Sequence, residues 1–159
     1  MYRIGYGIDY HQLVEGREFW LGGVLVPHYK GALGHSDADV LLHAICDALL
    51  GAVNAGDIGT HFPDTDQNFK NIDSKILLRK CREILLEKGY QMVNVDSTLC
   101  LQLPKIKPYV HDMQAAIAEC LQCDRDLISI KATTTEELGF VGREEGVVAH
   151  ATVLVQKIA

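Results

Sequence analysis

The sequence predicts an α+β (mixed α/β) single domain, residues 1–159, in which a β-sheet is covered by helices on one side. Three observations carry this. Runs rich in β-branched and aromatic residues alternate with segments whose apolar residues recur every three to four positions, in the order strand, hairpin, helix, helix, strand, helix, strand, strand. The length of 159 residues suits one domain, and no internal repeat or linker divides it. With 48% hydrophobic against 23% charged residues, the chain can bury enough apolar surface to offset its ordering entropy, which excludes a mainly disordered protein.

Residues 2–11 mix aromatic, β-branched and Gly residues and read as a strand, followed by a hairpin over Phe19 to Pro27 that turns at Gly22-Gly23. Ser36-Asp37-Ala38-Asp39 opens the first helix: Ser36 can cap it, and the two acids favour the positive end of its dipole. Its apolar stripe is Leu41, Ala44, Ile45, Ala48, Leu49 and Ala52, and it ends near Gly56. A second helix, capped by Asp73 or Ser74, buries Ile76, Leu77, Cys81, Ile84 and Leu85 and stops at Gly89. Strand 91–102 leads to a third helix with Pro104 in its first turn, interrupted early by Pro108 and running to about Leu121. Strand 127–133, a segment punctuated by Gly139, Gly142 and Gly146, and a last strand over 147–157 complete the chain.

Acidic residues outnumber Lys and Arg by 21 to 15, and no Lys/Arg run exceeds two, so nucleic acid is not the expected partner. No stretch reaches the roughly 18 to 20 apolar residues of a membrane span, and the opening MYRIGYGIDYH has no signal-peptide pattern. The expected location is cytoplasmic, with plastid stroma after transit-peptide removal as the second choice. The five cysteines lie in apolar stretches and read as buried thiols; Cys120 and Cys123 form a lone C-x-x-C without the second pair of a structural zinc site.

Four constellations can carry chemistry. Asp9 and His11 are two apart on a strand and share a face, while His43 lies one helical turn after Asp39 and one before Asp47. Two imidazoles and a carboxylate suit Zn²⁺ with a fourth position open, although strand-end Asp and His also serve as ordinary hydrogen-bonding residues. His35-Ser36-Asp37 is either a capping sequence or an anion site at a helix start. Lys131-Ala132-Thr133-Thr134-Thr135-Glu136 ends a strand with three hydroxyls that can surround phosphate oxygens, and Glu136 can hold Mg²⁺ beside them; Thr as a strand former and Thr135 as a cap explain the same residues. In Gln102-Leu103-Pro104-Lys105, a Lys in the first turn of a helix opposes the dipole and needs a bound anion or open solvent. The dinucleotide fingerprint, the Walker loop and the G-x-S-x-G elbow are all missing, and His28, His61, His111 and His150 have no ligand-spaced companions.

Together, G-x-D-x-H at 7–11, HSDADVLLHA at 35–44, GDIG at 56–59, FPDTD at 62–66, PK at 104–105 and KATTTEELGFVGREEG at 131–146 closely resemble the 2-C-methyl-D-erythritol 2,4-cyclodiphosphate synthase family over essentially the whole chain. The resemblance implies a homotrimeric cyclase of the non-mevalonate isoprenoid pathway, with active sites between neighbours. Such an enzyme converts 4-diphosphocytidyl-2-C-methyl-D-erythritol 2-phosphate to the cyclic diphosphate and CMP. By position, Asp9, His11 and His43 match its zinc ligands, and Glu136 matches the residue holding Mg²⁺ or Mn²⁺. His35 and Ser36 match phosphate contacts; Asp57, Gly59 and Phe62, Pro63, Asp64, Thr65 and Asp66 match contacts to the methylerythritol. Leu101, Gln102, Leu103, Pro104, Lys105, Ile106 and Lys107, with Ala132, Thr133 and Thr134, match the cytidine-diphosphate binder. Thr134, Lys131 and His35 are the expected helpers for charge on the reacting phosphates, and Phe140 and Arg143 with Glu145 flank a central channel suited to an isoprenoid diphosphate. The sequence departs from the family pattern at Ile8, Tyr10, Ala38, Leu101 and Leu103, none of them an expected metal ligand. The alternatives are a zinc-dependent phosphohydrolase and a non-catalytic trimer that binds isoprenoid diphosphates.

Overall fold

Strand β1 (Tyr2–Glu15) alternates two kinds of residue, and the alternation organises the fold. Its odd positions include Gly5, Gly7, Asp9 and His11, and its even positions Tyr2, Ile4, Tyr6 and Tyr10. In the computed structural model, which describes residues 1–159, β1 pairs antiparallel with β4 (Lys30–Leu33) and with β7 (Gly146–Lys157). β5 (Tyr90–Cys100) adds antiparallel to β7, and β6 (Ile128–Thr133) adds parallel to β5, giving the order β4-β1-β7-β5-β6. The hairpin β2 (Phe19–Leu21) and β3 (Val24–Val26) stands apart as a two-stranded sheet, turning through Gly22 and Gly23 at φ 57° and 78°.

Helix α1 (Val40–Ala52) lies on the odd face of β1 and on β7. The approach is set by glycine: a Cβ on Gly5 or Gly7 would overlap the carbonyl of Ala48 or Ala44. The sequence pattern predicted a single apolar stripe, but α1 is buried almost all round, because α3 (Ser74–Glu87) covers the side that the sheet leaves free. The cap also differs from expectation. Asp39, not Ser36, accepts the Leu42 N–H, and it also accepts from Gly22 and Gly23, tying the hairpin turn to the start of α1. α3 begins at the expected Asp73 cap, although Ile76 is exposed rather than buried.

The third long helix, α4 (Val110–Leu121), starts later than predicted. Pro108 cannot sit inside a helix begun at Pro104, since it lacks an N–H and its ring collides with the carbonyl four residues back. It occupies a 3₁₀ turn over Lys107–Tyr109 instead, and Lys105 lies in irregular chain ahead of it, not in a first helical turn. Strand β4 and two single turns, α2 (Ile58–His61) and α5 (Gly139–Gly142), were not expected. A cluster of 38 buried residues fills the space between sheet and helices. The other sheet face is uncovered, with Tyr2, Ile4, Tyr6 and Tyr10 all more than half exposed. No helix is long and apolar enough to cross a membrane.

Candidate active site

The two ligand positions after Gly5 and Gly7 on the same face of β1 are Asp9 and His11, and α1, drawn close by those glycines, brings His43 over them. Asp9 Oδ2 lies 2.9 Å from His11 Nε2 and 3.1 Å from His43 Nδ1, and the two ring nitrogens are 3.2 Å apart. Tetrahedral ligands of a zinc-sized ion stand about 3.3 Å from one another, so this triangle has the right size for one face of such a shell. Its chemistry agrees. His11 Nδ1 is 3.0 Å from the Leu33 carbonyl, to which only an N–H can donate, leaving Nε2 as a bare lone pair toward the other two groups. An anion and facing lone pairs at such spacing call for a cation between them.

Burial opposes ionisation of Asp9, yet His11 and then His43 outweigh it and hold the carboxyl at about 2 against an ordinary 3.8. Burial likewise opposes charge on His43, but Asp9, then Asp39 and Asp37, shift its pKa above the ordinary value. Three carboxylates thus make the pocket demand positive charge. Asp9, His11 and His43 satisfy the donor geometry of a divalent metal centre.

The triad forms one wall of a cavity of about 500 Å³ that also contains His35, Ser36, Gly59 and the loop Phe62, Pro63, Asp64 and Thr65. His35 Nε2 reaches the Asp66 carbonyl at 3.2 Å, so Asp66 acts on this wall through its backbone. Asp57 caps α2, accepting from the Thr60 hydroxyl and N–H at 2.9 Å, which holds its carboxyl below the ordinary value. α2 is fixed to α1 by the Ile58 N–H on Asp47 at 2.8 Å. One turn of helix therefore carries Ile58 and Gly59 into the wall of the triad cavity, while Asp57, at its start, is exposed and does not line that cavity.

The remaining expected residues gather elsewhere. Because β5 and β6 are parallel, segments 101–107 and 132–134 leave the sheet side by side, joined by the Leu101 N–H to Thr133 carbonyl bond at 2.9 Å. The carboxyl ends of adjacent parallel strands are where α/β sheets place ligands. Lys105, Ile106, Lys107 and Ala132 line a cavity of about 570 Å³ there, while Leu101 turns into the core and Leu103 is exposed just before its cis peptide bond to Pro104. Gln102 Oε1 accepts from the Glu137 N–H at 3.4 Å, and Thr134 Oγ1 from the Glu136 N–H at 3.3 Å. Glu136 and Glu137 both adopt left-handed backbone, φ 51° and 64°, an arrangement that costs about 1 kcal/mol or more per residue and concentrates at functional sites.

Lys131 stands on the uncovered sheet face in an ion pair with Asp96, away from the metal cavity. Phe140 stacks near Tyr10 with ring centres 6.2 Å apart, and Arg143 pairs with Glu145 at 2.9 Å. No residue lines both the triad cavity and the β5–β6 cavity. The sequence reading missed Asp37 and Ser74 as partners of His43, and Asp39 as the link between hairpin and helix; their separation in sequence leaves no spacing signal that could have found them.

The fold and this centre define a class, an α+β domain with an Asp-His-His triad able to hold a divalent metal on one wall of a cleft. The comparisons with known proteins narrow it. The YgbB family model matches residues 2–156. The 2-C-methyl-D-erythritol 2,4-cyclodiphosphate synthase of Bacteroides fragilis is 62% identical over 156 residues, 98% of each chain. Among solved structures, the bifunctional IspDF of Campylobacter jejuni superposes with a TM-score of 0.96 at 41% identity, this chain covering 43% of that longer protein. A CDP-bound 2C-methyl-D-erythritol-2,4-cyclodiphosphate synthase gives 0.89 at 37% identity, covering 97% of this chain and 100% of its own. The chain belongs to the YgbB family, that of the 2-C-methyl-D-erythritol 2,4-cyclodiphosphate synthases, and is an enzyme.

Proposed function

We propose that the chain closes 4-diphosphocytidyl-2-C-methyl-D-erythritol 2-phosphate into the 2,4-cyclodiphosphate and releases CMP, in the isoprenoid precursor pathway and in the cytoplasm. The observation that carries this is the Asp9–His11–His43 triangle inside a cleft that also holds His35 and Ser36. Asp9, His11 and His43 would hold Zn²⁺, and Glu136 would hold Mg²⁺ or Mn²⁺. Bound there, the ions supply charge neutralisation and Lewis acidity to crowded phosphate oxygens.

The chain's own residues orient and shield. His35 and Ser36 grip the 2-phosphate at the cleft wall, and the Asp57–Asp66 region seats the methylerythritol. Lys105, Thr133 and Thr134 hold the cytidine diphosphate, so that the substrate's 2-phosphate faces its own β-phosphorus. One P–O bond forms, the bond to CMP breaks, and no side-chain nucleophile takes part. Fixing a flexible substrate in that geometry can remove several kcal/mol of the barrier. His35 and Thr134 stabilise charge on the phosphates, and Lys131, on the uncovered sheet face beside Asp96, would do so only in a site completed by a neighbouring subunit. These local cations and dipoles let a chain of net charge −6 bind a polyanion.

Lys105, Ile106, Lys107 and Ala132, read as part of the cytidine-diphosphate binder, line a cavity that shares no residue with the triad cavity, which supports a homotrimer whose sites form between subunits. The uncovered sheet face, with four large exposed residues on β1 alone, is the surface that such assembly would bury. Phe140 and Arg143 would then flank an axial channel able to take an isoprenoid diphosphate. The test is ³¹P NMR of the products formed from the cytidylated substrate with Zn²⁺ and Mg²⁺. A cyclic diphosphate plus CMP is expected; a linear product would make the chain a phosphohydrolase, and unchanged substrate would leave the binding-only trimer.

A further inference from the structure

The three triad residues meet at one point, but only His43 has its far ring nitrogen sealed inside the protein. His43 Nε2 lies 2.9 Å from Ser74 Oγ and 3.2 Å from Ser36 Oγ. Ser74 is fully buried at the start of α3. Its hydroxyl donates to Asp37 Oδ1 at 2.5 Å, and its backbone N–H donates to Asp37 Oδ2 at 2.9 Å. The pair is clamped from outside: the Asp37 N–H donates to the Ile72 carbonyl at 3.1 Å, and the Asn71 N–H to the His35 carbonyl at 2.8 Å.

A serine hydroxyl has one proton. With that proton given to the Asp37 carboxylate, Ser74 Oγ can only accept from His43, so Nε2 must carry the N–H. Nδ1 is then a bare lone pair, and it is Nδ1 that stands 3.1 Å from Asp9 and 3.2 Å from His11. Ser36 makes the longer contact with Nε2, 3.2 Å; its oxygen also accepts the Ala38 N–H at 3.1 Å, and no carboxylate fixes its proton as Asp37 fixes that of Ser74. His11 receives the same orientation from the Leu33 carbonyl, a backbone group, whereas His43 depends on two side chains.

We propose that Asp37 and Ser74 are positioning residues that hold His43 in its Nε2–H tautomer and set the affinity of the metal centre through it. This rests on the reading of Asp9, His11 and His43 as that centre. A hydrogen-bond partner behind a ligating imidazole, here a hydroxyl held by a carboxylate, both aims the ring and makes it a stronger donor, and losing such a partner typically weakens metal binding by about ten- to hundredfold.

The test titrates Zn²⁺ into metal-free protein against a chromophoric chelator, with unfolding of each variant measured in parallel without metal. Ser74→Ala is expected to bind zinc about ten- to hundredfold more weakly, and Ser74→Thr, which keeps the hydroxyl, to recover most of that. Histidine ¹H–¹⁵N spectra of the zinc-loaded wild type should show an exchange-protected Nε2–H on His43 that disappears in Ser74→Ala. Wild-type zinc affinity in Ser74→Ala, or ligation of His43 through Nε2, overturns the proposal. Should Ser74→Ala not fold, Asp37→Asn decides: it removes the charge while its amide oxygen can still accept, so affinity should fall several-fold, and unchanged affinity refutes the relay. His43→Ala separates the two levels. If it keeps one zinc per chain, the metal-centre reading itself fails; if it loses zinc while Ser74→Ala binds normally, only the relay does.

Discussion

The two cavities of the chain are built by opposite means. Around Asp9, His11 and His43, the ligands themselves come from packed regular structure, a strand face and a helix seated on glycines, and a buried hydroxyl and a half-buried carboxylate back His43. Around Lys105, Thr134 and Glu136, the chain is irregular, exposed and partly left-handed, and its hydrogen bonds run between loop residues. The first region is preorganised by the core. The second carries local backbone strain at Glu136 and Glu137.

The sharpest way to break the first region is to push α1 off the sheet. Gly7→Val drives a side chain into the Ala44 carbonyl, so a loss of at least about 3 kcal/mol and of the zinc site is expected in chemical unfolding and metal analysis. Gly51, on the exposed side of the same helix with no atom within 4 Å of an added Cβ, is the control: Gly51→Ala should stabilise by up to about 1 kcal/mol. Equal effects at the two glycines would show that close approach is not what builds the site.

The second region should respond in activity and not in stability. Glu136→Gln is expected to fold and bind zinc normally, yet lose at least about tenfold in turnover at low Mg²⁺, partly restored as Mg²⁺ is raised. Wild-type turnover at low Mg²⁺ would remove Glu136 from the site.

A smaller effect concerns pH. Burial first, and then the charge of Asp37, raise the Asp39 carboxyl to about 6 from an ordinary 3.8, against three backbone N–H groups that favour its anion. Between those values the folded chain binds the proton more tightly than the unfolded one. The contribution of Asp39 to stability is therefore largest at low pH, falls as pH rises from about 4 to about 6, and is flat beyond. Its total is at most about 3 kcal/mol. The wild-type minus Asp39→Asn difference in unfolding free energy should decline over that window, and a flat difference would place the Asp39 pKa near its ordinary value.

Much of this was legible in the sequence where one period governs a long segment. The strands β1, β5 and β7 and the bodies of α1, α3 and α4 follow from two- and three-to-four-residue repeats, and Asp9 with His11 from period two alone. Short elements were not legible: Lys30–Leu33 is a strand only because the far end of β1 pairs with it, and the four residues of α2 are too few to show a period. The burial of α1 on all sides depends on α3, which no pattern within α1 reveals. Ala38 shows the reverse case. It departs from the family pattern that the sequence resembles, and its φ of 58° gives the physical reason that Gly suits the position. The Asp37–Ser74–His43 contact was out of reach, because it exists only after segments 35–37 and 71–72 join through backbone hydrogen bonds.

Strand β1 also constrains how this chain can vary. Chemistry sits on its odd residues and the uncovered face on its even ones, so the strand is read in a frame of two. Deleting one residue before Asp9 would keep every other side chain yet exchange the faces, sending the carboxylate outward and a tyrosine or isoleucine against α1. Substitutions at the even positions can accumulate while the metal centre survives, whereas any odd change in length destroys both surfaces at once. Insertions in this protein should therefore be confined to the turns, and the distance from its first strand residue to Asp9 should be as fixed as Asp9 itself.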